Sequence, residues 1–179
     1  MAPPPPEVVQ WLKRTYPRPT VDPEWLEGCY EWIQAEHRLD PARDMPAIIK
    51  HIEVQLLQSD LADSMLAGTG IPENILTAAN AFIEGPILVQ VAGIMEIGHS
   101  AYSLLQVYES REEWRKQAKL RETRGEAVAE EERKPMPKYP RSMLQFHLSD
   151  GISILPAIEC KKMPEFELGE TPLGYKVSA

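Results

Sequence analysis

Met143-Leu144-Gln145-Phe146-His147-Leu148-Ser149-Asp150-Gly151-Ile152-Ser153-Ile154-Leu155 is the stretch on which the fold turns. From Met143 to Leu148 the side chains alternate, with Leu144, Phe146 and Leu148 on one face and Gln145 and His147 on the other. A period of two is that of a half-buried strand. Asp150-Gly151 is a strong hairpin signal, and Ile152 to Leu155 reads as the return strand. A lone hairpin is marginal in water, so further strands are needed beside it.

Upstream, Gly85-Pro86 opens Ile87-Leu88-Val89-Gln90-Val91-Ala92-Gly93-Ile94-Met95, rich in β-branched residues. This predicts a strand, with a bulge or sharp bend at Gly93. The strand chemistry fades near Ser100-Ala101-Tyr102. Downstream, Gly169 to Ala179 holds turn residues and then Tyr175-Lys176-Val177, the start of another strand. Short strands broken by turn residues predict a small β-barrel.

The two main strand regions are separated by an insertion, residues 109–140. Residues 109–134 carry eight acidic and eight basic side chains, so the net charge of −8 resides elsewhere in the chain. Glu112 stands four before Lys116, the helix-favouring order. Trp114 and Leu120 do not share a helical face, so no apolar stripe exists. Such a segment is a solvated helix, or one that orders on binding. Glu130, Glu131 and Glu132 read as a solvated run. The insertion ends in Lys134-Pro135-Met136-Pro137-Lys138-Tyr139-Pro140, proline-punctuated and extended, with Met136 and Tyr139 as anchors. Loops of this length inside a compact domain are uncommon unless functional or disordered, which predicts a binding role.

Residues 1–6 form a proline-rich tail, extended or disordered. Residues 7–66 predict a three-helix bundle. In the first helix Val8, Trp11, Leu12 and Tyr16 share a face until Pro17 and Pro19 stop it. The second has Asp22 as N-cap and Pro23 at its first position. Its expected apolar stripe is Trp25, Leu26, Cys29, Trp32 and Ile33. A third runs from Met45 to Leu61 on Ile48, Ile49, Ile52, Leu56 and Leu57. Residues 67–84 are a linker containing Gly68-Thr69-Gly70, and 85–179 form the β domain. The fold class is therefore α+β: a three-helix bundle and then a small barrel with a long insertion between its first two strands.

The chemistry points to binding rather than catalysis. The net charge is −8 and the isoelectric point about 5.1. A free-standing nucleic-acid binder usually has a basic excess, so DNA contact is expected to be indirect or weak. His37, His51, His99 and His147 form no metal-ligand spacing with each other or with Cys29 and Cys160. His99 beside Ser100 lacks an evident acidic orienter, and His37 and His51 are expected to be solvated. Gly68-Thr69-Gly70 lacks the lysine and helix of a phosphate loop. No cofactor and no metal are expected. Two unpaired thiols suit a reducing compartment, cytosol or nucleus. The N-terminus has no signal-peptide pattern, and no apolar stretch is long enough to span a membrane. Trp11, Trp25 and Trp32 are expected in the core, which leaves the barrel few aromatic platforms for single strands.

Val21-Asp22-Pro23-Glu24-Trp25-Leu26-Glu27-Gly28-Cys29-Tyr30-Glu31-Trp32-Ile33-Gln34 resembles the helical signature of the RecQ-mediated genome instability protein 1 family. Leu56-Leu57-Gln58-Ser59-Asp60-Leu61 is similar to the end of its third helix. Leu88 to Tyr108, with Gln90-Val91 and Ser100-Ala101-Tyr102-Ser103, resembles its first barrel strand. Arg141-Ser142-Met143-Leu144-Gln145 through Leu148-Ser149-Asp150-Gly151 resembles its second strand and hairpin. The matches fall in the same order over about residues 20 to 177.

The resemblance implies an OB-fold barrel, whose closing strands this chain is expected to lack. It implies a non-enzymatic nuclear subunit that partners topoisomerase III and a RecQ/Bloom-type helicase. There it would promote decatenation and the dissolution of double Holliday junctions, maintaining genome stability. On that basis residues 109–140 contact the topoisomerase gate, through Trp114, Leu120, Met136, Pro137 and Tyr139. Lys176, in Gly174-Tyr175-Lys176, matches a family position on the barrel side facing the topoisomerase. A Tudor-domain-containing protein 3-type adaptor of topoisomerase IIIβ would share the head and barrel. A single-stranded DNA-binding OB module is the third alternative, disfavoured by charge and scarce aromatics.

Overall fold

Asp22 and Pro23 start the second helix as their chemistry requires. In the computed structural model, which describes residues 3–78, 80–83, 85–124 and 135–178, the Asp22 carboxylate accepts the Glu24 amide at 2.7 Å. Helix α1 spans Pro6–Thr15 and α2 spans Pro23–His37. The latter ends where Arg38 turns left-handed (φ 51°) and donates its N–H to the Gln34 carbonyl.

Two columns of apolar side chains run along α2, about one residue or 100° apart. Leu26, Tyr30 and Ile33 are buried. In the neighbouring column Trp25 and Cys29 are half-buried against the core, but Trp32 is 48% exposed. The expected core position of Trp32 is therefore corrected, and Tyr30 fills the interior instead. The Trp32 ring meets His37 edge-on at 5.9 Å, and His37 stacks on His51 at 4.0 Å. Those two histidines are thus ring partners, with His37 exposed as expected and His51 half-buried.

Helix α3 (Met45–Gln58) buries Ile48, Ile52 and Leu56. It stops short of the expected Leu61 because Ser59 is extended (ψ 161°) and Asp60 caps a new helix. Its carboxylate accepts the Ala62 amide at 2.9 Å, opening α4 (Leu61–Ser64). The buried faces of these helices form one core with Met65 and Leu88. A short 3-10 turn follows at Glu73–Leu76.

The strands are β1 (Leu88–Glu96), β2 (Leu144–Ser149), β3 (Ile154–Ile158) and β4 (Lys176–Ser178). They form one sheet in the order β3-β2-β1-β4. β1 and β4 are antiparallel, with Gln90 opposite Lys176. Ile71, Ile87 and Val89 make a second small core with Leu148, Leu155 and Val177. β1 runs without interruption through Gly93. The glycine is explained by a close neighbour: a Cβ there would lie 3.2 Å from the His147 ring.

The β2–β3 connection is longer than the sequence suggested. The buried Asp150 carboxylate accepts the amides of Ile152 at 3.1 Å and Ser153 at 2.7 Å. A side chain thus shapes the turn, and β3 begins at Ile154 rather than Ile152. The same carboxylate accepts the Ile71 amide at 2.6 Å, which pins residues 69–71 to the hairpin. Gly151 sits at φ 103°, with the Leu61 carbonyl carbon 2.5 Å from where a Cβ would be.

Hydrogen bonds from Asp150 to Ser153 and from Glu159 to Leu144 set the β3 register. Residues 153, 155, 157 and 159 turn their backbone toward β2; 154, 156 and 158 turn theirs to the open edge. Pro156 therefore lacks an N–H at a position where none has a sheet partner. That is where a strand tolerates proline, and it blunts an exposed edge.

The largest departure lies after Glu96. The strand-like resemblance extended to Tyr108, but residues 101–124 are helical: α5 spans Ala101–Arg124. Ser100 accepts the Ser103 amide at 3.2 Å, an N-cap arrangement. The helix therefore begins before Glu109, where the insertion was expected to start. The middle of the insertion, 125–134, including the Glu130 to Glu132 run, lies outside the described residues. The described residues fall into two compact units: one from residues up to 93, 146–157 and from 172 on; the other from 94–145 and 158–171.

Candidate partner interface

Within the second unit, the insertion rests on three buried or half-buried polar groups. The first is Glu96 at the end of β1. Its carboxylate accepts the amides of Gly98 and Ser142, each at 2.7 Å, and of Met143 at 3.3 Å. Burial opposes ionisation there, but the amide bonds and His99 outweigh it and hold the carboxyl below its ordinary value. His99 thus does have an acidic neighbour, with Nδ1 3.3 Å from Glu96. The Glu96 oxygens are committed to backbone amides, so the pair closes the insertion's base rather than forming a dyad.

The second group is the Arg141–Glu159 pair. Arg141 donates both terminal nitrogens to the Glu159 carboxylate, which also accepts the Leu144 amide at 2.8 Å. The Arg141 hydrogen bonds dominate over burial, and the amides of Leu144 and Met163 assist; the Glu159 carboxyl is pulled down to about 2. A depressed acid stabilises the fold above its unfolded value and loses that contribution as pH falls through the folded one. Melting temperature is therefore expected to drop as pH falls from 4.5 toward about 2. Glu159→Gln should lower it at neutral pH and flatten this acid limb. A variant with an unchanged acid limb would refute the assignment.

The third group is Arg111, which is 2% exposed and the one buried residue of α5. Its guanidinium donates to the Pro137 carbonyl at 2.9 Å, the Gly169 carbonyl at 3.3 Å and the Glu170 carboxylate at 2.7 Å. It also lies 5.0 Å from the Tyr139 ring centre, a cation–π distance. Gly169 (φ 78°) packs so closely that a Cβ would meet the Tyr139 ring at 2.8 Å. One buried cation thus joins the outgoing helix, the returning extended segment and residues 169–170. Nothing in the charged, stripe-less pattern of residues 109–124 marks this arginine as different. Its partners lie 26, 58 and 59 residues away.

The expected contact residues fall into distinct settings. Pro137 and Tyr139 belong to the Arg111 anchor and are half-buried; Met136 beside them is also half-buried. Trp114 is half-buried, about one turn beyond Arg111. Leu120 is exposed near the far end of α5, about 13 Å along the axis from Arg111. Tyr139 also lines an apolar groove of about 360 Å³ with Leu104, Leu105, Tyr108 and Leu168. The sequence did not show this groove, because the strand chemistry fades near Ser100 with no helix assigned after it and the family resemblance carried the strand to Tyr108.

Lys176 lies in the first unit. Its ammonium donates to the Ser59 carbonyl at 2.7 Å and the Gly174 carbonyl at 2.9 Å. Burial lowers its pKa, opposed by the Asp60 charge. Gln90 donates to Asp60 at 2.8 Å and accepts the Leu61 amide at 3.2 Å. β1 and β4 are thereby tied to the junction of α3 and α4. These residues line an open groove of about 780 Å³ with Leu57, Leu173 and Tyr175.

Among the described residues there is no cluster of three or more His, Cys, Asp or Glu placed to hold a metal. No described helix is long and apolar enough to cross a membrane. Cys29 and Cys160 are free thiols, and burial pushes Cys29 up to about 11.

Residues 12–64 match the family model described as RMI1, N-terminal helical domain, and residues 71–178 match RMI1, N-terminal OB-fold domain. The chain is similar to RecQ-mediated genome instability protein 1 of Mus musculus, 28% identical over 173 residues, 95% of this chain and 26% of that protein. The Danio rerio protein of that name is 27% identical over 96% of this chain and 31% of its own length. That of Gallus gallus is 28% identical over 96% and 25%. The chain spans between a quarter and a third of the length of these relatives. The helical head followed by the OB-fold sheet places the chain in the RMI1 family, to which it belongs.

Proposed function

We propose that this chain acts as a non-catalytic subunit of a nuclear genome-stability assembly of the RecQ pathway. In it, the insertion contacts topoisomerase III and assists decatenation and the dissolution of double Holliday junctions. The observation that carries this reading is the construction of the insertion. A 24-residue helix buries one side chain, and that side chain is an arginine anchor at its base. Such a helix does not contribute a core face to its own fold, so its outer surface is available to another molecule. Relatives whose printed name is RecQ-mediated genome instability protein 1 direct the reading to that pathway. A RecQ/Bloom-type helicase is the other partner in this scheme.

The test is capture of purified topoisomerase III by the full chain and by a variant carrying a short Gly/Ser linker in place of residues 118–134. The linker variant keeps Arg111, Pro137 and Tyr139, so the base of the insertion is preserved. Its topoisomerase affinity is expected to fall about tenfold or more, as for loss of a binding hot spot, with an unchanged thermal melt. Equal capture by both proteins would sink the reading.

A further inference from the structure

We propose that the outer half of α5 is a DNA-contacting surface whose basic side chains bind the phosphate backbone of a duplex. Residues 109–134 are electrically neutral as a whole, but the described helix is not. Its first part holds Glu109, Glu112 and Glu113 around the buried Arg111. From residue 115 to residue 124 there are Arg115, Lys116, Lys119, Arg121 and Arg124 against the single acid Glu122. The charges are segregated along the axis, and the basic end is the one farther from the anchor.

The angular placement agrees. Arg111, Trp114 and Ala118 mark the inward side of the helix, being buried or half-buried. At about 100° per residue, Lys116 falls on the opposite side with Lys119 and Arg124 to either side of it, while Arg115 stands nearer the inward side and Arg121 lies two turns beyond Trp114 on the same column. All five are exposed. Arg115 is engaged by Glu112 at 2.6 Å. Among the described residues, no carboxylate lies within ion-pair distance of Lys116, Lys119, Arg121 or Arg124. Among the described residues these four cations are thus without a carboxylate partner, on a protein of net charge −8.

Ligand chemistry follows from what the surface has and lacks. Lys116 to Arg124 covers about 12 Å of helix axis, the span of about three to four phosphates along one strand. The outward side carries no aromatic ring, so it offers no stacking platform for unpaired bases. A duplex has the higher phosphate density, about one charge per 1.7 Å of axis, and needs no stacking. The contact is therefore with backbone and independent of sequence.

The decisive measurement is fluorescence anisotropy of a labelled DNA duplex titrated with the full chain over a range of salt, without topoisomerase present. Expected is binding at low salt that weakens with a log–log slope of about −3. The variant K116Q/K119Q/R121Q/R124Q is expected to bind at least about tenfold more weakly with a much shallower slope. Its circular dichroism and melting should match the parent, since the altered side chains lie outside the core. No duplex binding by the parent at low salt would overturn the proposal, as would equal affinity and slope in the variant. Tighter binding of a single strand, of duplex RNA or of poly-glutamate would likewise overturn the assignment to DNA duplex. Because no topoisomerase is in the assay, failure of the topoisomerase reading would leave this outcome unchanged.

Discussion

Asp150→Ala is expected to destabilise the chain by about 3 to 5 kcal/mol, read as a shift in the urea midpoint at unchanged m-value. Three amides use this carboxylate, from Ile71, Ile152 and Ser153, and hydrogen bonds to a charged acceptor contribute roughly 1.5 to 3 kcal/mol each. The Ile152 and Ser153 amides recover part of that loss by turning to water. Ile71 is buried, so its amide is left unpaired at a cost of about 1 to 3 kcal/mol. Gly70 lies directly against this carboxylate, close enough that a Cβ there would overlap it. Asp150→Asn keeps one acceptor oxygen and should fall between parent and alanine variant. A loss below about 0.5 kcal/mol, ordinary for a surface substitution, would show that the turn holds without the carboxylate.

Arg111→Met is expected to release the base of the insertion at a cost of about 2 kcal/mol, the range for losing hydrogen bonds made by a charged group; Glu170, 45% exposed, turns to water. Methionine fills part of the volume but leaves the Pro137 and Gly169 carbonyls without their donor. Amide exchange at Lys138, Tyr139 and residues 167–171 should accelerate, while the α1–α3 core exchanges as before. Arg111→Lys should not rescue it. A single ammonium cannot reach two carbonyls and a carboxylate with the planar fork geometry that also faces Tyr139. Full rescue by lysine, or unaltered exchange in the methionine variant, would remove Arg111 from its anchoring role.

What was legible in the sequence was local. The α2 start was written in Asp22 and Pro23, the hairpin in Asp150-Gly151, and the β4 start in Tyr175-Lys176-Val177. Each depends on groups within a few residues of one another. Side-chain columns were less informative: Trp25, Cys29 and Trp32 share a column on α2, but packing covers the first two and leaves the third exposed. Periodicity gives a face and not where the neighbouring element ends. The end of the strand signal near Ser100 was legible, but the helix α5 that follows it was not, because Tyr102, Leu104 and Val107 suit a strand as well as a helix. The deciding contacts are the Ser100 cap and the Glu96 bonds to Ser142 and Met143, 46 and 47 residues away.

The candidate site followed the same division. The existence of a charged, solvated insertion was plain from composition. Its charge segregation was hidden by counting the segment as one block. The roles of Arg111 and of Lys176, which reaches Ser59 across 117 residues, are tertiary facts with no local trace. The family resemblance added the identity of the barrel and of the helical head, which local patterns alone left generic.

The anchor at Arg111 also sets a rule for how this chain tolerates insertions and deletions. A helix turns by about 100° for each residue. Adding or removing one residue between Arg111 and Lys116 would swing the basic side chains by that angle about the axis, off their outward course. Three or four residues together complete about one turn and would return them, displaced by about 5 Å along the axis. Length changes beyond Arg124 carry no such penalty of phase. Length variation in natural or designed versions of the stem should therefore come in steps of three, four or seven residues.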